Sequence, residues 1–258
     1  MGGLSQDSLN FLTSSVKLEG TGKTFKTPLL FRFCEIFVPT LMRSFTNIHF
    51  KGLENVPMDG GAIFSGNHLS NLDPFIKILA SQRPIHFLAK EGHFQKQPNR
   101  FIMKNTGQIE TFRKSGGKDA LARAFDVLEE GLCLGIFPEG TRSRKEKSPY
   151  LQEGKTGIAR IAARFPKIPV VPIAINGSRE VMPPGKSLLR FWKRINVTVG
   201  KPITFEEWMI EKNGGDMNND KISQIQKLEG DERDELFRKL YRNFTNQLME
   251  TIRSMGAP

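Results

Sequence analysis

The stretch "AIFSGNHLSNLDPFIKILA" (residues 62–80) decides the fold, because it joins a strand pattern to a helix pattern through a short polar segment. Its first part, "AIFSGN", is a run of apolar and small residues, which is typical of a strand buried on both faces. Further along, Asp73 precedes Pro74, and an Asp N-cap with Pro at the first helical position is a strong helix start. The stretch therefore predicts a buried strand, a turn and a helix.

The same alternation of strand and helix patterns continues along the chain. Further strands are predicted at "IHFLAK" (85–90), "GQIETF" (107–112), "LCLGIFP" (132–138) and "VVPIAIN" (170–176). Helices are predicted at "GGKDALARAFDVLEEG" (116–131), capped by Gly131, at "GKTGIARIAARF" (154–165) and at "DERDELFRKLYRNFTNQLMETIRSM" (231–255). This order favours a three-layer α/β domain over residues 46–258, in which helices flank the sheet and loops at strand ends carry the chemistry.

The first 45 residues have a different pattern from the rest. "DSLNFLTSSVKLEG" (7–20) has apolar residues at helical spacing, and "TPLLFRFCEIFVPTLMRSF" (27–45) is apolar but interrupted by Arg32, Glu35 and Arg43. Neither contains the run of ~20 apolar residues that spans a bilayer. We expect residues 1–45 to form two amphipathic helices. Two alternatives stay open, since such helices either lie in a membrane interface or pack on the core.

Composition limits the class of protein and its partners. The 258 residues carry a net charge of +11 and 38% are hydrophobic, which is typical of a globular chain with a basic surface. Such a surface favours anionic partners: phospholipid, nucleic acid or a phosphorylated substrate. Cys34 and Cys133 are the only cysteines, too few for a disulfide framework or a cysteine zinc site, and four histidines also limit metal chemistry. We expect a reducing compartment and neither metal nor cofactor.

His68 and Asp73 stand where the predicted strand gives way to the predicted helix. A helix would place residues at this spacing on different faces, so their side chains meet only if the chain turns between them. In that case Asp73 accepts from one imidazole nitrogen and leaves the other free to take a proton. The alternative is that Asp73 only caps the helix. Because no serine or cysteine nucleophile is evident, a base here would act directly on a substrate hydroxyl.

A second polar group, "FPEGTRSR" (137–144), follows the strand "LCLGIFP". A turn at Pro138 and Gly140 is followed by two arginines, which bind phosphate in bidentate fashion. The side chains of this segment that we consider for an anion site are Glu139, Thr141, Arg142 and Arg144. Arg113, after the strand "GQIETF", is a candidate for the same anion site. The alternative is a solvated loop with an internal ion pair.

"GLCLG" (131–135) has the spacing of a nucleophile elbow with Cys133 at the nucleophile position. That elbow needs a sharp turn into a helix, whereas Cys133 lies within a predicted buried strand. We therefore expect Cys133 to be a small apolar core residue.

Taken together, these motifs resemble the glycerolipid acyltransferase family, most closely the lysophosphatidate acyltransferases. The family's first block, His-x4-Asp, is matched by "NHLSNLD", its third by "FPEGTRSR" and its fourth by "VVPIAI". In the second block, "GQIETFR" places Arg113 where the family has a phosphate-contacting arginine. The lead-in "GLENVP" (52–57) is similar as well, and the resemblance runs from about Gly52 to Pro202 in the expected order.

The resemblance implies transfer of a fatty acyl chain from acyl-CoA or acyl carrier protein to the sn-2 hydroxyl of 1-acylglycerol-3-phosphate, without an acyl-enzyme. It implies that His68 is the general base and Asp73 its orienter. By the same carry-over, the acceptor phosphate would be bound by Arg113, Glu139, Gly140, Thr141 and Arg142. The implied fold is the α/β fold of the glycerol-phosphate acyltransferases.

From these features we expect a peripheral or monotopic protein on the cytoplasmic face of a membrane, with "KSLLRFWKR" (186–194) as a further interfacial contact and no nucleic-acid partner. Two alternatives are kept. One is a related acyltransferase with another lysophospholipid or lipid-linked acceptor. The other is a basic membrane or nucleic-acid binding module without catalysis, which would leave the ordered motifs unexplained.

Overall fold

A computed structural model describes residues 3–111, 117–184 and 189–258 of the chain. Within these ranges the chain forms one seven-stranded sheet with helices on both faces. The strands are β1 (Asn47–Lys51), β2 (Ala62–Gly66), β3 (Ile85–Lys90), β4 (Ile109–Thr111), β5 (Cys133–Ile136), β6 (Val170–Asn176) and β7 (Arg194–Val199). The helices are α1 (Gln6–Ser15), α2 (Leu29–Phe45), α3 (Asp73–Ser81), α4 (Asn99–Asn105), α5 (Lys118–Glu129), α6 (Gly157–Arg164), α7 (Ser178–Val181), α8 (Phe205–Ile210), α9 (Asn219–Gln226) and α10 (Gly230–Ser254).

The sheet has the order β1-β7-β6-β2-β5-β3-β4. Neighbouring strands are parallel except β6 and β7, which are antiparallel. β2, the strand of the quoted stretch, lies between β5 and β6 and is buried at every position. Because parallel strands end at the same edge of a sheet, the loops that follow β2 and β5 lie side by side there.

Successive residues of β2 point into two different cores, one on each face of the sheet. Ile63 belongs to the larger core, which also contains residues of α5, α6 and α10. Phe64 belongs to the smaller core, where Ile76 and Ala80 of α3 pack against the sheet. The three-layer α/β prediction is therefore confirmed.

The five predicted strands are confirmed as β2 to β6, but the outer strands β1 and β7 were not predicted. In β7, the exposed Arg194 and Asn196 alternate with the buried Ile195 and Val197, a period-two pattern that indicates a strand with one buried face. The predicted helices at 116–131, 154–165 and 231–255 are confirmed as α5, α6 and α10. After α5, Gly131 has a φ of +68°, as expected of its capping position.

The two N-terminal helices have different environments. Leu9 and Leu12 of α1 are buried in the larger core, and α1 packs against α6 and α9. The packing alternative therefore holds for α1, because its apolar stripe meets an apolar surface of the α/β domain. The other alternative, in which a helix lies in a membrane interface, now concerns α2. No helix among the residues described is long and apolar enough to cross a membrane.

Candidate active site

The loop after β2 is held in place by the residue that precedes His68. The Asn67 side chain is fully buried, donates to the Ile175 carbonyl at 2.8 Å and accepts from the Ile175 N–H at 2.8 Å. β2 has already ended at this point, so the backbone of β2 does not pair with Ile175. The Asn67 amide takes its place and satisfies the N–H and C=O groups of Ile175 in β6. His68 is thereby positioned at the carboxyl edge of the sheet.

The chain turns between His68 and Asp73, so the two side chains meet. His68 Nδ1 lies 2.9 Å from Asp73 Oδ2, and the Asp73 carboxylate is fully buried. The same Oδ2 accepts from the backbone N–H groups of Leu69 and Ser70, each at 2.6 Å. A carboxylate oxygen can only accept, so Nδ1 carries the hydrogen and Nε2 is the proton-accepting nitrogen of the neutral ring.

Asp73 does not cap α3, and that alternative is wrong. The helix begins at Asp73 itself, and the residue before it, Leu72, makes no side-chain cap hydrogen bond. Asp73 instead directs its carboxylate back toward the loop, where it accepts three hydrogen bonds through Oδ2. The prediction of a helix start at this point is confirmed, but the carboxylate orders the His68 loop and not the first turn.

The environment of His68 favours its neutral form. Burial lowers the pKa of His68 below its ordinary 6.5, the hydrogen bond and charge of Asp73 raise it, and the charges of Lys77 and Arg142 lower it again. The Phe137 ring stacks on the imidazole, with ring centroids 3.9 Å apart. An imidazole that is uncharged near neutral pH, with one nitrogen fixed as a donor, is suited to act as a general base.

Glu139 joins the loop after β5 to the loop after β2. Its Oε1 accepts from the His68 N–H at 2.7 Å, and its Oε2 accepts from the backbone and side-chain N–H groups of Gln152 at 3.0 and 3.2 Å. Burial raises the pKa of Glu139, while these donors lower it. Since both oxygens are occupied, the contacts give Glu139 a part in holding the two loops. Its predicted contact with an acceptor phosphate stays a prediction.

Gly140, Thr141 and Arg142 continue from Glu139 as a tight turn. Gly140 has a φ of +70°, and a Cβ there would lie 2.9 Å from Lys155 Nζ, so glycine suits both the backbone and the space. Thr141 Oγ1 accepts from Lys90 Nζ at 3.2 Å. The turn therefore gathers three cations, Lys90, Arg142 and Lys155. Two of these, Lys90 and Lys155, were not predicted, because they come from distant positions in the sequence.

Arg113 and Cys133 were the other residues that the sequence motifs singled out. Arg113 and Phe112, the last two residues of the second block, lie outside the described residues, so the assignment of Arg113 stays a prediction. Cys133 is buried at the start of β5 and packs in the smaller core, as expected of a core residue. Among the described residues, no group of His, Cys, Asp and Glu side chains is arranged to hold a metal ion.

The fold and this site define an α/β protein with a histidine–aspartate pair beside a basic turn at the carboxyl edge of its sheet. The Acyltransferase family model matches residues 47–176, which run from β1 to the end of β6 and include both loops. The chain belongs to the Acyltransferase family.

Comparison with individual proteins gives relatives of the same kind. The chloroplastic 1-acyl-sn-glycerol-3-phosphate acyltransferase of Arabidopsis thaliana is 32% identical over 62% of this chain and 44% of that protein. The 1-acyl-sn-glycerol-3-phosphate acyltransferase of Bacillus subtilis is 27% identical over 67% of this chain and 82% of that protein. The chain thus spans less than half of the plant relative's length.

A solved structure shares the fold. The 1-acyl-sn-glycerophosphate acyltransferase PlsC of Thermotoga maritima superposes with a TM-score of 0.55 over 86% of this chain and 79% of that chain. The two sequences are 19% identical over this superposition, so the likeness concerns the fold.

The contacts of Glu139 predict a loss of stability in Glu139→Gln. The amide would turn a donor toward the N–H groups of either His68 or Gln152, and an unsatisfied buried donor costs about 1–3 kcal/mol. We expect a decrease of that size in the free energy of unfolding, measured by chemical denaturation at neutral pH. Glu153→Gln is the matched control, because that neighbouring side chain is exposed. Equal stability of the two variants would contradict the role given to Glu139.

Proposed function

We propose that this protein transfers a fatty acyl chain from an acyl thioester to the sn-2 hydroxyl of 1-acylglycerol-3-phosphate, forming phosphatidic acid. The observation that carries the proposal is the buried Asp73 carboxylate, which fixes His68 with Nε2 as its proton acceptor beside the basic turn. Membership of the Acyltransferase family supports the reaction type. The names of the Arabidopsis and Bacillus relatives support the choice of acceptor.

In this mechanism His68 acts on the acceptor and not on the protein. Nε2 takes the proton of the acceptor hydroxyl while its oxygen attacks the thioester carbonyl carbon, and the Asp73 carboxylate stabilises the resulting imidazolium. The tetrahedral intermediate collapses as the carbon–sulfur bond breaks, and the imidazolium returns the proton to the departing thiolate. The products are a free thiol and the acylated lipid. Acyl-CoA and acyl carrier protein both provide such a thioester.

The acceptor phosphate is placed at the basic turn of Gly140, Thr141 and Arg142. Support comes from the charges that meet there, since Lys90 Nζ contacts Thr141 and Lys155 Nζ lies over Gly140. Arg142 is near enough to His68 for its charge to affect that imidazole. With Arg142 this near to His68, one small lipid can place its phosphate at the guanidinium and its reacting hydroxyl at the imidazole. Arg113 is proposed as a second phosphate ligand.

We also propose that the protein is peripheral or monotopic on the cytoplasmic face of a membrane, with α2 in the interface. The exposed face of α2, here called the α2 face, carries Leu29, Phe33, Phe37 and Leu41. Exposed apolar side chains at helical spacing form a stripe suited to lie among lipid headgroups and acyl chains. A one-chain acceptor resides largely in the bilayer, so an enzyme acting on it benefits from such a contact.

Contacts connect the α2 face to the site. α2 contacts α4, which exposes Phe101 and Ile102, and α4 packs on the turn at Glu91–Phe94. Burial, and then the charge of Arg142, lower the pKa of His93 in that turn. The apolar surface therefore continues toward the basic turn, which supports entry of a lipid acceptor from this side.

Loss of the base should abolish most of the reaction. We expect His68→Ala to lower acyl transfer by a factor of ~10² or more while the fold survives, because the hydroxyl would have no proton acceptor. Mass spectrometry of products from lysophosphatidate with acyl-CoA, and separately with acyl carrier protein, measures this and identifies the donor. Cys133→Ala is the control and should keep its turnover. Near-normal turnover of folded His68→Ala, or an acyl adduct on Cys133, would overturn the mechanism.

Arg142 should affect binding of the acceptor more than binding of the donor. We expect Arg142→Ala to raise the KM of the acceptor more than that of the donor, and Arg142→Lys to restore the acceptor KM only in part, because lysine lacks the bidentate fork. Steady-state kinetics with each substrate varied in turn measures the difference. Arg144→Ala is the matched control, because the Arg144 side chain, two residues further along the same loop, is exposed whereas Arg142 is half-buried. A change confined to the donor KM would move the phosphate site away from this turn.

The α2 face should govern membrane attachment. We expect the double change Phe33→Ser and Phe37→Ser to weaken sedimentation with anionic vesicles by about tenfold or more, because each phenylalanine contributes its apolar area to the interface. Activity on a short-chain, water-soluble acceptor should persist. Met58→Ser is the control, since Met58 is equally exposed but precedes β2 at the opposite edge of the sheet. Unchanged sedimentation of the double variant would exclude α2 as the anchor.

A further inference from the structure

A lysine lies fully buried behind the histidine–aspartate pair. Lys77 of α3 is 0% exposed, and lysine is rarely buried to this extent unless its charge is paired. It follows Asp73 by one helical turn, so the two side chains leave the same face of α3. Its Nζ donates to the carbonyl of Ile136, the last residue of β5, at 2.9 Å. Lys77 therefore bridges from α3 to the strand whose following loop forms the basic turn.

Two buried carboxylates face this ammonium. Asp73 and Glu139 are both nearly or fully buried, and the charge of each favours the protonated form of Lys77. Asp73 Oδ2 accepts three hydrogen bonds, whereas Oδ1, also buried, has no hydrogen-bond partner among the described residues. A buried carboxylate oxygen without a donor is costly unless a positive charge lies nearby. Lys77 supplies that charge from within the same helix.

Lys77 also reaches His68 through the ring of Phe137. Lys77 Nζ lies 3.7 Å from the centre of that ring, and the His68 imidazole stacks on it at 3.9 Å. A cation and an aromatic ring cannot occupy the same face at these distances, so they lie on opposite faces of Phe137. The stack separates the ammonium from the imidazole by a low-dielectric layer, across which charges interact more strongly than in water.

We propose that Lys77 is a positioning residue of this site. Its ammonium is the counter-ion of the Asp73 and Glu139 carboxylates, and its charge keeps His68 uncharged and ready to accept a proton. The inference deepens the proposed function and rests on it where it concerns the rate of acyl transfer. The effect of Lys77 on the protonation of His68 is independent of any reaction.

The charges around His68 act in a defined pH range. The charge of Asp73 favours the protonated imidazole of His68, and the charges of Lys77 and Arg142 oppose it. Glu139 accepts a hydrogen bond from the His68 backbone N–H. Burial lowers the pKa of Lys77 to about 7, while the pKa of His68 lies below its ordinary 6.5. We therefore expect Lys77 to be still charged where His68 titrates. Removing this charge raises the pKa of His68, so a larger share of the imidazole is protonated at mildly acidic pH.

The decisive variant is Lys77→Met, which keeps the length of the side chain and removes the charge. Heteronuclear NMR should show His68 titrating at higher pH than in the unchanged protein. Leu79→Met, a volume-conserving change of another buried residue of α3, should leave that titration in place. A His68 titration that is the same in Lys77→Met and in the unchanged protein overturns the proposal.

The pH profile of acyl transfer separates this role from packing. In Lys77→Met we expect kcat/KM to fall about threefold at about pH 6 and to change little at about pH 8, where His68 is neutral in either protein. A decrease of equal size at both pH values is the result of lost packing and counts against the proposal. If His68→Ala retains turnover while the NMR titration still moves, the proposed function fails and the charge coupling stands.

A measurement on the unchanged protein covers the case in which Lys77→Met does not fold. The side-chain nitrogen signals of Lys77 and His68 can be followed together across the pH titration. We expect Lys77 to remain an ammonium at the midpoint of the His68 titration. A neutral Lys77 amine at that midpoint contradicts the proposal, because an uncharged side chain cannot oppose protonation of the imidazole.

Discussion

The buried carboxylate of Asp73 is the constraint on which the rest of the site depends. One oxygen accepts from the His68 ring and from the backbone N–H groups of Leu69 and Ser70. The same atom thus closes the loop after β2 and selects the tautomer of the imidazole. Burial strengthens each of these hydrogen bonds, but it also destabilises the charged form of the Asp73 carboxylate. A nearby positive charge must therefore compensate it.

Lys77 of α3 supplies the compensating positive charge, and Glu139 is a second carboxylate that this ammonium faces. Glu139, in the loop after β5, holds the His68 backbone, and Lys77 returns from α3 to the end of β5. Loops and helix are consequently linked by charges in a largely dry region at the carboxyl edge of the sheet. The parallel arrangement of β2 and β5 makes this possible, since it brings both loops to one edge.

Much of the fold could be predicted from the sequence because the central strands and the long helices have strong, local patterns. β2 to β6 and α5, α6 and α10 follow from runs and periodicities that each lie within one segment. β1 was missed because it is a short outer strand without a continuous apolar run. The helices α1 and α2 have similar amphipathic patterns, yet α1 packs in the core whereas the α2 face is exposed. Periodicity identifies an apolar stripe but not the surface that it meets.

The sequence by itself determined the α/β class and the order of the family's motifs, and it offered the pairing of His68 with Asp73 beside the helix-cap alternative, because these depend on neighbouring residues. Only the tertiary structure decided that Asp73 orders a loop instead of capping α3, that Glu139 has both oxygens occupied, and that Lys77 lies behind the imidazole. The physical reason is that burial, hydrogen-bond partners and charge neighbours arise from segments far apart in the chain. A lysine in a helical pattern predicts an exposed side chain, and only packing between α3 and β5 buries this one.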